Sequence, residues 1–199
     1  MSACTQGGDT HDTVPFTNLL THTPLSVRLT ADPSLQNPWR TYHTFAIVRD
    51  PYDRLVSAYQ QLHLHTYSYP FARFVDDAAH TVATCVDSNG NYVYQRGANV
   101  FLLPQYVFVC SADGRALLVR HVLHFESLAH DWQQLVRQCG AVGQLPDVLP
   151  RRNRSGGTPV ANVSLHKRYV GGTPVANAAL RNWVYTVYAR DCAWFGYGG

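Results

Sequence analysis

Lysine is nearly absent from this chain: of its 16 basic residues 15 are arginine, and Lys167 is the one lysine. A mechanism that needs a lysine on a phosphate or sulfate must use Lys167 or do without. Charge of either sign is sparse, at 15% of residues, and the absence of any long block of like charge argues against a nucleic-acid arm. No apolar run reaches the ~18 residues that cross a bilayer, so no span is expected in this chain. The opening MSACTQGGDTHDTVPF lacks a basic region followed by an apolar stretch, so it is not read as a signal peptide, and the chain as given reads as soluble. Cys4, Cys85, Cys110, Cys139 and Cys192 are widely spaced and form no CxxC pair. Neither a zinc site nor a disulfide framework is therefore indicated, and disulfides and buried thiols both stay open. Without a GxxxxGK[ST] segment, a nucleoside-triphosphate loop of that type has no support.

What is present describes a folded protein. With 199 residues, 46% of them apolar, the chain has the length and composition of one globular domain with a real core. The net charge of +3 suits an anionic small molecule or an acidic polysaccharide but decides nothing alone. Asn153-Arg-Ser and Asn162-Val-Ser are glycosylation sequons, of consequence only in a secretory lumen.

The pattern predicts strands alternating with helices, hence an α/β domain. Residues 1–13 read as flexible. His43-Thr-Phe-Ala-Ile-Val-Arg49 has strand length, and Asp50-Pro51 follows as an N-cap with proline at the first helical position. Leu55, Tyr59 and Leu62 then recur at helical spacing, so a helix is expected over 51–63. A second helix is expected over 70–84, closed by the turn signal of residues 87–91. Residues 105–110 read as a second strand, Asp113-Gly114 as a turn, and 117–124 as a third strand. Ser127 is placed to cap a helix carrying Leu128, Trp132, Leu135 and Val136 that ends at Gly140. A long loop covers residues 143–177 and contains a duplication, Gly-Gly-Thr-Pro-Val-Ala-Asn at 156–162 and again at 171–177. A last helix is expected after Asn177, with Leu180, Val184, Val187 and Tyr188 on one face. Trp132, Trp183 and Trp194 are read as core rather than as sugar-stacking platforms.

The string Val48-Arg49-Asp50-Pro51-Tyr-Asp-Arg54-Leu-Val-Ser57-Ala-Tyr59 carries the most chemistry. It sets an arginine at the C-terminal end of a strand, where open α/β sheets bind ligands. The helix that follows offers unpaired N–H groups and a positive dipole end. Arg49 can grip a phosphate bidentately and Ser57 can donate a hydroxyl. The competing reading is a capped helix in which Arg49 and Arg54 pair with Asp50 and Asp53. Other constellations carry less. His63 and His65 point to different sides of a helix, and His121 and His124 to opposite faces of a strand, so neither pair reads as a metal site. Cys110 and Arg115 are separated by four residues, one short of a tyrosine-phosphatase loop.

The string resembles the 3′-phosphate-binding motif of the carbohydrate-type sulfotransferases that use 3′-phosphoadenosine 5′-phosphosulfate. Further segments agree with that family in order: Leu103-Pro104-Gln105, Val119 to Leu128 with Glu126, Leu149 to Ser155, and Tyr188 to Tyr197 with Asp191, Phe195 and Gly196. The resemblance implies a P-loop-NTPase-like sulfotransferase fold, a central parallel sheet flanked by helices. It implies Arg49 and Ser57 as ligands of the donor's 3′-phosphate. It implies His22, in Thr21-His22-Thr-Pro24, as the base that takes the proton of the acceptor hydroxyl; an ordinary loop histidine is the competing reading. Arg151, Arg152 and Arg154 are candidate contacts for an anionic acceptor by loop position and charge. Glu126 is read as structural. No metal is required, because the protein's own cations carry the charge stabilisation.

One family feature has no counterpart. The family's loop for the 5′-phosphosulfate, of the type PKtGtTS, has nothing similar ahead of His22, where Gln6-Gly7-Gly8-Asp9-Thr10 lacks the lysine. The first strand and that loop are therefore expected to be missing, a truncated chain being the leading explanation. A catalyst of sulfonate transfer to a carbohydrate hydroxyl is the first functional expectation. A non-catalytic module that binds nucleotide or glycan with the same fold is the alternative. Nucleic acid is not an expected partner. Eukaryotic members imply a Golgi lumen or membrane setting, bacterial ones a soluble cytoplasmic protein.

Overall fold

A computed structural model describes residues 3–4, 24–62, 69–85, 87, 93, 99–146, 148–149 and 174–198. The chain divides into two compact units: residues 1–48, 86–95 and 105–148 form the first, and 49–85, 96–104 and 149–199 the second.

The first unit is built on a small sheet. Strand β1 (Ala3–Cys4) runs antiparallel to β2 (His43–Val48), and β2 runs parallel to β3 (His121–His124), in the order β1-β2-β3. β2 is the expected strand, a β-branched and aromatic run that leaves Phe45, Ala46 and Val48 buried. Helix α1 (Leu25–Ala31) follows Pro24 and buries Leu25. After a 3₁₀ turn at Pro33–Leu35, α2 (Gln36–Thr41) precedes β2. The Trp39 indole N–H donates to the Leu118 carbonyl and the Arg120 guanidinium to that of Arg40, which ties α2 to the segment entering β3. Among the described residues, the parallel part of the sheet is this single strand pair.

Two expectations fail in this unit. Residues 105–110 are not a strand: Tyr106–Val109 form one helical turn, α5. The run Tyr-Val-Phe-Val has no polar alternation to fix a pleated face, and Tyr106, Val107 and Val109 are all buried. Cys110 then turns extended and bridges Leu117 across a turn in which Gly114 has φ +66°. The expected third strand is correspondingly split, into that bridge and β3.

Helix α6 (Leu128–Gln138) buries Trp132, Leu135 and Val136 at helical spacing, and Gly140 follows at φ +64°. Trp132 packs edge-on against Phe45, ring centres 5.9 Å apart, and donates its indole N–H to the Pro146 carbonyl. Ser127 occupies the cap position, but its side chain makes no capping bond to the backbone. Its hydroxyl serves Asp131 instead.

The second unit is helical: α3 (Pro51–Gln61), α4 (Phe71–Thr84), α7 (Pro174–Val187) and α8 (Ala189–Phe195). Its core joins Tyr52, Leu55, Val56, Ala58 and Tyr59 of α3 to Phe71, Phe74, Val75 and Ala78 of α4, with Leu102, Val184 and Tyr188. The rings of Tyr52 and Tyr59 meet Phe71 edge-on. α7 begins within the second copy of the duplicated segment, four residues before the expected start, because Pro174 suits a first helical position and Val-Ala-Asn-Ala-Ala continues it. Val184 and Tyr188 are fully buried, as expected, whereas Trp183 is 47% exposed and is not core. The face containing Leu180, Val184 and Tyr188 was filled without it, and Trp183 lies a residue off that stripe. Cys85, Cys110 and Cys139 are buried and Cys192 half-buried, none of them in a disulfide.

Candidate functional site

The site begins at the N-terminus of α3. Asp50 caps the helix as expected, its Oδ1 accepting the Asp53 N–H at 3.0 Å, with Pro51 at the first helical position. The other carboxylate oxygen, Oδ2, accepts the Tyr185 hydroxyl of α7 at 2.7 Å. A single aspartate therefore both closes the helix end and joins it to the last long helix. Burial, and the bond to Asp50, hold the Tyr185 phenol well above the ordinary tyrosine range, so it remains a proton donor.

The arginines around this end have separate tasks. Arg54 turns back along the unit, donating Nη1 to the Phe101 carbonyl at 3.1 Å and lying 5.2 Å from the Tyr188 ring centre. Its Nε and Nη2 are buried without a hydrogen-bond partner among the described residues, so the aromatic face takes much of the charge. Arg181 of α7 approaches Asp53 at 3.6 Å and lies over the Tyr52 ring, 5.0 Å from its centre. In the competing reading Arg49 and Arg54 pair with Asp50 and Asp53; the structure adds Arg181 on Asp53 and Tyr185 on Asp50. Arg49 directly follows β2 and stands half-buried before the cap. Ser57, also half-buried, comes seven residues after Asp50. At ~1.5 Å and ~100° per residue it lies on the face that carries the cap, about 10 Å along the axis. Arg49 and Arg181 stand with Asp50 and Asp53 at this helix end, the pole where the backbone N–H groups already favour an anion.

His22, Arg151, Arg152 and Arg154 lie outside the described residues, as do Lys167, His63, His65 and Gln6 to Thr10. Arg181, Tyr185 and Tyr52 were not singled out by sequence reasoning. The i, i+4 spacing of Arg181 and Tyr185 sets them on one helix face, but nothing in one sequence says that this face meets α3.

Other motif residues prove architectural. Tyr188, Asp191 and Phe195 are buried, and Gly196 ends α8 at φ +73°. The Tyr188 hydroxyl donates to the Leu102 carbonyl at 2.7 Å, and burial pushes its pKa up to about 12 against the opposing charge of Arg54. Glu126 is exposed. Asp131 accepts the His124 backbone N–H at 2.7 Å, which anchors the end of β3 to α6. The Cys110–Arg115 segment is the tip of a bridge: the Ser111 hydroxyl bonds Asp113, Arg115 is exposed, and no anion cradle forms there.

The described residues contain no helix long and apolar enough to cross a membrane. No curated protein and no solved structure matches the chain. A family model described as the sulfotransferase family matches residues 15–198, which takes in most of both units, Arg49 and Ser57 included.

Proposed function

The chain belongs to the sulfotransferase family, and on that premise we propose that it moves a sulfonate group from 3′-phosphoadenosine 5′-phosphosulfate to a hydroxyl of a carbohydrate acceptor. The observation that carries this reading is the capped end of α3, where Arg49 precedes the cap and Ser57 shares its face. The guanidinium of Arg49 and the hydroxyl of Ser57 would hold the donor's 3′-phosphate, with the helix pole adding to the attraction. Asp50 would not touch the donor. Its two bonds fix the helix end against Tyr185, so the anion meets a preorganised surface. Arg181, on the same helix end and partly exposed, would add positive charge.

In the transfer step, the acceptor oxygen forms a bond to sulfur while the bond from sulfur to the 5′-phosphate oxygen breaks. His22 would take the acceptor proton, and adenosine 3′,5′-bisphosphate would leave with the electron pair. Arg151, Arg152 and Arg154 would contact an anionic sugar. The reaction needs no metal, since guanidinium groups carry the charge stabilisation.

A transfer assay tests this. Donor labelled in the sulfonate is supplied with a panel of neutral and acidic glycans, and label is followed into sugar. Label is expected in at least one acceptor, and His22→Ala is expected to slow its appearance by about 10²–10⁴-fold, the usual worth of a general base. No transfer to any acceptor by a chain that still binds the bisphosphate would overturn the catalytic reading and leave a binding module.

A further inference from the structure

The sheet of the first unit holds a cluster that sulfonate transfer does not use. In the parallel pair of β2 and β3, Phe45 stands opposite His121. His43 lies two residues before Phe45, so His43, Phe45 and His121 share one face of the sheet. Helix α6 covers that face, as the contact of Trp132 with Phe45 records, and Cys139 is the residue at its C-terminal cap. Two strands and one helix end thus bring two imidazoles and a thiol to a single point.

The distances suit a metal ion. His43 Nδ1 and His121 Nε2 are 3.3 Å apart, and one ligand atom from each of His43, His121 and Cys139 lies within 4.8 Å of the other two. Two nitrogens each ~2.0–2.1 Å from a tetrahedral zinc ion would be separated by ~3.3 Å. A hydrogen bond between neutral rings would account for the nitrogen separation, but not for a thiol brought to the same place. Imidazole and thiolate together favour zinc over magnesium or calcium, which prefer oxygen. Arg120 directly precedes His121 in the chain. The Arg120 charge opposes a cation, and the thiolate left when Cys139 releases its proton offsets it. Cys139 is 7% exposed, whereas both histidines are only half-buried, so an ion can enter from their side.

We propose that His43, His121 and Cys139 bind one zinc ion through two imidazole nitrogens and a thiolate, leaving a fourth position for water. No CxxC signals such a site, because its ligands come from three elements rather than from one loop. The ion ties the end of α6 to both strands, and the assignment stands apart from the transfer reaction.

Cobalt is the probe, since a cobalt–thiolate bond gives a charge-transfer absorption that oxygen and nitrogen ligands do not. The 199-residue chain, stripped with a chelator, is titrated with Co²⁺ and then with Zn²⁺. One Co²⁺ per chain is expected, with a thiolate band that Zn²⁺ abolishes by displacement. Cys139→Ser is expected to remove the band, and His43→Gln to weaken binding by more than ~100-fold, beyond the ~10–100-fold cost of losing an outer-shell partner. Cys192→Ser is expected to leave the spectrum unchanged. A folded wild-type chain without the band overturns the assignment, as does a band that survives Cys139→Ser or vanishes in Cys192→Ser. If Cys139→Ser does not fold, His43→Gln decides at a partly exposed position: binding at wild-type strength there refutes the site.

Discussion

Asp50 uses both of its carboxylate oxygens, one for the helix cap and one for Tyr185, and alanine at this position removes both acceptors together. Losing an aspartate cap costs about 1 kcal/mol, within a range of ~0.5–2. Losing a hydrogen bond to a charged group costs about 1.5–3 kcal/mol, and here it also leaves the Tyr185 hydroxyl without its acceptor. Asp50→Ala is therefore expected to destabilise the fold by about 3 kcal/mol. In a Tyr185→Phe background the second contribution is already gone, so the same substitution should cost only about 1 kcal/mol. The coupling of about 2 kcal/mol is what a double-mutant cycle between contacting residues can resolve. Urea denaturation of the four proteins measures it, provided the slope with denaturant stays constant. Asp50→Asn separates the two roles, since asparagine caps as well as aspartate but offers only one acceptor oxygen. It should retain the cap and lose about 1–2 kcal/mol through the weakened bond to Tyr185. Equal costs of Asp50→Ala in the two backgrounds would refute the claim that this aspartate joins α3 to α7.

Further predictions follow from the same packing. Leu55 is fully buried between α3 and its neighbours, so Leu55→Ala is expected to cost about 2–5 kcal/mol by denaturant titration. Gly196 adopts φ +73° and a Cβ there would meet nothing within 4 Å, so Gly196→Ala should cost only the backbone term, about 1–2 kcal/mol. Stability is expected to fall at alkaline pH. Burial raises the folded-state pKa of Tyr188 from 10.0 to about 12, so its contribution is complete below pH 10 and is lost as pH rises from there to about 12. That loss is worth about 3 kcal/mol, at ~1.4 kcal/mol per unit. Melting curves from pH 8 to 12 should therefore be flatter for Tyr188→Phe than for wild type; parallel curves would contradict the assignment.

The elements that were legible in the sequence are those where several local signals agree. β2 and α3 combine an apolar run, an aspartate cap, an N1 proline and a helical stripe of Leu55 and Tyr59, and they form as expected within two residues. Helix α4 and helix α6 follow the same logic. Residues 105–110 carried one signal only, an unbroken apolar run, and such a run serves a buried helical turn as well as a strand. Trp183 misled for a related reason: size and apolarity say nothing of which side of a helix meets the core. In the candidate site, Arg49, Ser57 and the Asp50 cap were readable because they are close in sequence. Arg181 and Tyr185 reach the same helix end from more than a hundred residues away, through packing that no local pattern encodes. The zinc ligands share that difficulty, since His43, His121 and Cys139 become neighbours only through strand register and the end of α6.

Donor recognition turns on a proposed 3′-phosphate site at the end of α3, and one binding measurement addresses it. Calorimetric titration of the wild type and Arg49→Ala with adenosine 3′,5′-bisphosphate, ADP and AMP reads both affinity and selectivity. The bisphosphate is expected to bind more tightly than ADP or AMP. Arg49→Ala should weaken it by about 10–100-fold, the equivalent of a charge-assisted bond worth ~1.5–3 kcal/mol, and should leave AMP little changed. Equal affinity for the three nucleotides, or bisphosphate binding that is indifferent to Arg49→Ala in a folded chain, would contradict the site.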